Sequence, residues 1–379
     1  MTTVQLPKLL TRRPKKEAER DESYYLASQW TLMGRKLMKH RLARISMVVL
    51  GFLYLIAAFG SFLAPSNLTA YNAETKDAPP SKIHFFHEGK FIGLFVYGLR
   101  SERNMETFQR EYIEVKDEIY RLRFFVHGPE YRFWRLFPTD QHLFGVEEGG
   151  HIFLFGTDSM GRDLFSRMIL GSQISLTIPF AGTFLSFILG ILIGSISGYF
   201  GGVLDTVIQR VIEVLSSFPS IPLWMALSAA VPADIPVVQM YLAITVIISL
   251  LSWTGLARVV RGRFISLRKE DFITAARLAG VSDLQIIVKH LVPGFMSYLI
   301  VSLTLAIPGM IIGETSMSFL GLGIRAPATS WGVLLQEAQD IASIANFPWR
   351  LIPLFAVVLT VLAFNFLGDG LRDAADPYK

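Results

Sequence analysis

The 379-residue chain contains no cysteine, so it can build neither a disulfide framework nor a thiolate metal site. Charge is also sparse. Asp, Glu, Lys and Arg supply 18% of the residues, against about 25% in a soluble chain. A P-loop needs Gly-Lys followed by Ser or Thr, and the only Gly-Lys pair here, Gly89-Lys90, is followed by Phe91. A zincin helix is missing too, because His87-Glu88 runs into Gly89, Lys90 and Phe91 with no second histidine in register. The seven histidines are scattered; the one close pair, His84 and His87, would point to opposite faces of an alternating strand. These absences exclude a soluble enzyme, a secreted disulfide scaffold and a disordered tail protein, and the chain is expected to hold no metal or cofactor of its own.

What the chain has is apolar length: hydrophobic residues make up 51% of it. Crossing a bilayer core takes roughly 20 apolar residues. Six runs qualify or nearly so: 45–63, 174–196, 207–231, 237–256, 295–312 and 351–367. Arg35, Lys36, Lys39, Arg41 and Arg44 precede the first run. Arg258, Arg261, Arg263, Arg268, Lys269, Arg277 and Lys289 lie between the fourth and fifth. Alternating crossings put both basic segments on one side, which the positive-inside rule makes the cytoplasm, and six crossings return the C-terminus there as well. The first run is longer than a signal-peptide core and reads as a retained anchor. Ion-coupled transporters keep acids at membrane depth, whereas the middles of these runs are bare. Glu314 is the one acid near that depth. It is expected to face a cavity or a partner near the outer surface, as a pathway residue or a structural hydrogen-bond acceptor, and Asn365, which interrupts the last run, carries the same two readings.

The runs divide the chain into a basic N-terminal segment (1–44), a first helix (45–63), an extracytoplasmic insertion with an interfacial helix (64–170) and a five-helix core (171–379) with a cytoplasmic loop at 258–292. Within the insertion, 82–97 reads as a hairpin around His87-Glu88-Gly89. Met105, Phe108, Tyr112, Val115, Ile119 and Leu122 recur at three- and four-residue steps, which predicts an amphipathic helix. Segments 123–127 and 151–155 look strand-like, so the insertion is expected to be a small α/β subdomain. Its aromatics, Phe85, Phe86, Phe91, Phe95, Tyr97, Tyr131, Phe133 and Trp134, form either that subdomain's core or a stacking surface for sugar rings. Thr157 or Asp158 can cap a helix through Arg162, Asp163 and Arg167, with Asp158–Arg162 and Asp163–Arg167 pairs. Gly190, Gly194 and Gly198 make a small-residue ridge suited to helix packing within the bundle.

The loop between the fourth and fifth runs carries the most information. A short helix over 272–278 has Ala275 and Ala276 at its centre and is interrupted by Gly280. Ser282 can cap a second helix over 283–290, which Pro293 leads into the next run. Two short helices joined at a glycine form an L-shaped knob, and small alanines let another protein approach it closely.

Thr274-Ala275-Ala276, Gly280 and the closing Val292-Pro293 resemble the EAA motif of ABC-importer permeases, with Thr274 in place of the usual Glu and His290 in place of an aliphatic residue. Gly156-Thr157-Asp158-Ser159-Met160-Gly161-Arg162-Asp163 is similar to the GTDxxGRD stretch of dipeptide/oligopeptide permease subunits. Phe218-Pro219, the 318–323 segment, Ser330-Trp331-Gly332 and 362–377 match the same subfamily in order. The resemblance covers 155–379 and the first run with its basic approach.

It implies an all-α membrane protein with six transmembrane helices and a small α/β extracytoplasmic insertion between helices 1 and 2. It implies a non-enzymatic permease subunit in a bacterial inner membrane, both termini cytoplasmic, forming half of the pathway of an ATP-driven importer. Thr274, Ala275, Ala276, Gly280, Ser282 and Asp283 would couple it to the ATPase. Its implied partners are a second homologous permease subunit, two ABC ATPase subunits that use ATP and Mg, an extracytoplasmic solute-binding protein and membrane lipid, with no nucleic acid. Peptides are the expected cargo; the same machinery importing oligosaccharides or other polar solutes is the alternative, and a secondary transporter needing no ATPase is the reading from a different class.

Overall fold

A computed structural model of the chain describes residues 28–376 other than 69, 104, 106–109, 135, 148 and 233. Residues 1–27 of the basic N-terminal segment and Phe108 of the expected amphipathic helix lie outside the described residues.

Helix α1 (Gln29–Lys39) starts at Ser28, whose Oγ accepts from the Thr31 N–H at 3.3 Å. Helix α2 (Arg41–Ala58) and a further turn, Gly60–Leu63, take up the first apolar run. The insertion follows as strands β1 (His84–His87), β2 (Lys90–Arg103), β3 (Arg110–Phe133) and β4 (Phe137–Val146). The remaining principal elements are α3 (Leu164–Phe200), α4 (Gly202–Ser217), α5 (Ser220–Ala229), α6 (Val237–Leu267), α7 (Asp271–Leu278), α8 (Met296–Phe319), α9 (Trp331–Gln336) and α10 (Ile352–Ala375). Among the described residues, five stretches are long and apolar enough to cross a membrane: Arg41–Ala58, Leu164–Phe200, Val237–Leu267, Asp283–Phe319 and Pro348–Ala375. The pair α4–α5 is a sixth if it counts as one span.

That pair corrects the expectation for run 207–231. Instead of one helix, the chain bends by 86° at Phe218-Pro219. Proline has no N–H to continue the helical ladder, and its ring drives the preceding residue out of the helical region; Phe218 accordingly sits at φ −85°, ψ 133°. The second apolar run is also longer than its uncharged core. α3 begins at Leu164, so the expected interfacial helix and the span are one element. Its N-cap is Asp163, which accepts from Phe165 N at 3.3 Å and Ser166 N at 2.8 Å, rather than Thr157 or Asp158.

Helices α3 and α6 run parallel. Gln173 shares a cavity lining with Val237 and Val238, Ser249 Oγ donates to Gly182 O at 3.0 Å, and Gly198 packs on Arg261 and Phe264. The glycine ridge makes the close approach possible, because a Cβ on Gly194 would stand 2.5 Å from Ala257 O and 2.8 Å from Val260 Cβ. Gly194→Val is therefore expected to destabilise the bundle by about 1–3 kcal/mol through overpacking, read as a lower unfolding temperature in detergent. An unchanged melting curve would show that the two helices can separate freely.

At the other side of the bundle α2 packs on α10, with Leu50, Leu53 and Ala57 in one core with Ala356, Val357 and Phe364. Lys36 Nζ donates to Asp376 O at 2.9 Å, so both ends of the described chain lie at one end of the bundle, where α3 and α6 also finish. The insertion lies at the opposite end, near Ala58 and Leu164.

The insertion is a four-stranded antiparallel sheet in the order β1-β2-β3-β4, not an α/β subdomain. Strand β3 pairs with β2 through its first half and with β4 through its second. Residues 112–122, expected to be helical, are part of β3. Their three- and four-residue spacing arises because Gly98 pairs with Val115 while Tyr97 pairs with Ile119; the bulge between them breaks the two-residue alternation. Tyr112, Ile113, Val115, Ile119 and Tyr120 are β-branched or aromatic, and the strand wins. The hairpin at His87-Glu88-Gly89 forms as expected, with φ of 46° at Glu88 and 78° at Gly89. A register shift between His84 and Phe86 brings His84 and His87 onto one face, where both rings contact Phe95 and Tyr97. Segment 151–155 is not a strand.

Candidate functional site

The elbow joins α6 to α8 at the end of the bundle where both described termini lie. α7 closes with Ala279 N donating to Ala275 O at 2.9 Å, Gly280 N to Arg277 O at 3.0 Å and Val281 N to Ala276 O at 3.1 Å. This closure needs a left-handed residue after the last turn, and Gly280, at φ +76°, supplies it without a Cβ clash. Ser282 has the extended backbone of an N-cap, φ −67° and ψ 150°, but its hydroxyl caps nothing; its carbonyl accepts from Ile286 N at 2.9 Å. The expected second helix is a single turn, Asp283–Gln285, followed by a π-helical stretch, Ile286–Leu291. These pass almost directly into α8, so the second limb of the elbow and the crossing form one run, Asp283–Phe319.

Both limbs sink side chains into the bundle. Ile273 and Ile286 are fully buried in a cluster with Tyr199, Phe264, Leu291 and Leu299. Thr274, Ala275, Gly280, Ser282 and Asp283 are exposed, and Ala276 is half-buried. Leu278 and Leu284 stand 86% and 71% exposed at the tip. A large leucine exposed on both limbs of a tight turn makes an apolar knob that the other described residues leave uncovered. Tyr199 OH, at the end of α3, donates to Asp283 Oδ1 at 2.5 Å, and the Arg277 guanidinium lies 5.1 Å over the Tyr199 ring. The elbow is thus tied to three helices, α3, α6 and α8. Tyr199 was invisible as a site residue in the sequence, where it is only one more aromatic near the end of an apolar run. Arg261, counted above among the loop charges, instead forks onto Asp205 of α4 with both bonds at 2.6 Å.

Glu314 and Asn365 do not come together in a pathway. Glu314 is fully buried in the bundle and accepts from Ser318 Oγ at 2.8 Å. Asn365 is half-buried and donates to Val361 O at 3.0 Å within its own helix. Each side chain thus holds a hydrogen bond within its own helix. Among the described residues no cluster of His, Cys, Asp or Glu could hold a metal ion.

The 156–163 motif builds a buried ion knot at the opposite end of the bundle. Asp158 Oδ1 accepts from Met160 N at 2.8 Å and Arg162 N at 2.9 Å; Oδ2 takes Arg162 Nε at 2.6 Å and the Arg167 guanidinium. Glu337 closes the other side, 3.0 Å from Arg167 and 3.2 Å from Arg162. The expected Asp158–Arg162 pair forms, while Arg167 turns to Asp158 and Glu337 and leaves Asp163 as the cap of α3. Next to it Arg350 pairs with Asp77 and reaches Ser343 Oγ at 2.5 Å. The knot therefore clamps the start of the insertion, the start of α3 and the 337–350 loop together.

Burial pushes the Asp163 carboxyl up to about 6, against the lowering effect of its bonds to Ser166 and Phe165. A carboxyl with a raised folded-state value binds its proton more tightly folded than unfolded. Its contribution to stability is therefore largest below pH 4 and is lost as pH rises through about 6, a swing of about 3 kcal/mol. Asp163→Asn keeps an oxygen for the two N–H groups and should flatten the pH dependence of the unfolding temperature between pH 4 and 6. Retention of the parental slope would assign that titration elsewhere.

Residues 190–378 match the binding-protein-dependent transport system inner membrane component family, and residues 28–80 match the N-terminal transmembrane domain of oligopeptide transport permease C. The oligopeptide transport system permease protein OppC of Haemophilus influenzae is 43% identical over 231 residues, which are 61% of this chain and 71% of that protein. The glutathione transport system permease protein GsiD of Shigella dysenteriae is 41% identical over 240 residues, 63% of this chain and 73% of that one. A solved structure of the MetNI methionine ABC transporter in an inward-facing conformation aligns with 55% of this chain and 96% of its own at 20% identity and a TM-score of 0.44. The chain belongs to the family of inner-membrane components of binding-protein-dependent transport systems.

Proposed function

We propose that the chain is one permease subunit of an ATP-driven peptide importer, built on six crossings of which the third is the bent pair α4–α5. The parallel course of α3 and α6 supports that count, since the chain must return from one end of the bundle to the other between Phe200 and Val237. The basic segments before α2 and around α6–α7 support an orientation with the elbow and both termini in the cytoplasm and the insertion outside. Peptides are the cargo of choice because the relatives named above carry oligopeptide and glutathione transport in their names.

One observation carries this reading: the apolar tip at Leu278 and Leu284, raised on the Gly280 turn and continuous with α8. The chain holds no nucleotide motif, so the force comes from elsewhere. Two ATPase subunits grip this elbow and that of a second, related permease subunit. Their closure moves the Asp283–Phe319 lever while Ile273 and Ile286 keep the elbow seated in the bundle. An extracytoplasmic binding protein delivers the cargo at the opposite end. Because the chain has no cysteine, Ser282→Cys introduces a unique thiol at the tip. Crosslinking to the co-expressed ATPase, and none from a cysteine at Phe91 in the insertion, is the expected result. A Ser282 thiol that reacts with external reagents in intact cells and never with the ATPase would overturn the assignment.

A further inference from the structure

We propose that the tip of the β3–β4 hairpin is a membrane anchor, dipping its apolar side chains into the lipid leaflet on the insertion's side of the bilayer. The tip is held at membrane depth by α2. Trp134 Nε1 donates to Ala58 O, the last carbonyl of that crossing, at 2.8 Å. The Phe59 ring lies 5.7 Å from Phe133 and 6.1 Å from Trp134, and Phe62 lies 6.3 Å from Phe125. Two neighbouring crossings mark the same level. Gln173 of α3 donates to Ala57 O at 3.0 Å, and Gln173 lines a cavity with Val237, the first residue of α6.

At this level a soluble hairpin would turn polar residues outward. Phe125, Trp134, Leu136 and Phe137 instead stand between 57% and 70% exposed. Phe125 and Trp134 also hold left-handed backbone, φ 56° and 50°, which bulky residues rarely adopt and which turns both rings toward the end of α2. The occupant follows from continuity. Val48, Phe52, Leu55 and Phe59 form an exposed stripe up α2 at three- and four-residue steps, and Phe59 leads straight into the hairpin tip. A stripe of that kind on a crossing helix meets lipid tails, and a tryptophan at its end sits where aromatic side chains favour the interface. The same aromatics considered above as a sugar-stacking surface are thus divided: Phe95 is core, and Phe133 and Trp134 belong to the anchor.

The cysteine-free chain makes the test direct. Leu136→Cys, labelled with an environment-sensitive fluorophore in the full chain in phospholipid nanodiscs, should emit at shorter wavelength. It should be quenched about twofold by lipids spin-labelled near the headgroup, with little response to aqueous iodide. Phe137→Cys should behave alike, and Phe91→Cys, at the distal hairpin turn, should respond to iodide only. Iodide quenching of the Leu136 and Phe137 labels would overturn the anchor in favour of a solvated tip. Shielding from both quenchers would overturn it in favour of a protein cover.

Discussion

Proline at position 280 is expected to abolish transport while leaving the chain inserted and assembled in the membrane. Gly280 sits at φ +76° and its N–H donates to Arg277 O at 3.0 Å. Proline is locked near φ −65° and has no N–H, so the closing turn of α7 cannot form. Such a conflict costs about 3 kcal/mol or more. The exposed turn at 278–284 supplies no fully buried residue to the bundle's cores, so the loss falls on the relative placement of Leu278 and Leu284 rather than on insertion. At about 1.4 kcal/mol per factor of ten, misplacing the knob by that energy leaves on the order of one hundredth of the productive contacts. Substrate uptake into proteoliposomes, with membrane yield measured alongside, reads both halves. Parental uptake by Gly280→Pro would remove the elbow from the mechanism.

The second large effect lies at the opposite end of the molecule. Asp158→Ala should lower stability by about 3–5 kcal/mol, the range for removing one partner from a buried ion pair. Asp158 is 1% exposed and Arg167 4%, so the mutation strands a guanidinium with only Glu337 and also frees the Met160 and Arg162 N–H groups. Arg210 and Glu213 provide the contrast. Their 2.6 Å bond is as short as that between Asp158 and Arg162, but both side chains are largely exposed. Arg210→Gln should therefore shift stability by less than about 1 kcal/mol. Unfolding temperatures in detergent would rank the two. Equal shifts would mean that burial does not set the strength of the knot.

The readings that held rest on properties a residue carries locally. Run length located five of the six apolar runs in helices long and apolar enough to cross a membrane, and both described ends lie together with the elbow. Gly280 was legible because a glycine between two helix-forming stretches needs no distant partner to mark a left-handed turn. The Asp158–Arg162 pair was legible from its four-residue spacing, although a turn ahead of α3, not a helix, brings the two together. The Ser282 cap failed at the same scale, since Ile286 N found the Ser282 carbonyl instead of the hydroxyl.

The readings that failed depended on partners far along the chain. Val115 and Ile119 keep helical spacing on paper, and only the register against Tyr97 and Gly98 shows that a bulge produces it. Phe218-Pro219 announces a break, but the two residues do not specify its 86° angle. Arg167 had Asp163 within one helical turn and chose Asp158 and Glu337. Amino-acid order alone thus decided which runs are long and apolar enough to cross a membrane and where the chain must turn, because apolar length and backbone freedom act over a few neighbouring residues. The sheet in the insertion, the knot that clamps its base and the burial of Glu314 were decided only on folding, when strand registers and ion pairs more than a hundred residues apart competed for the same neighbours and the best-desolvated pairing won.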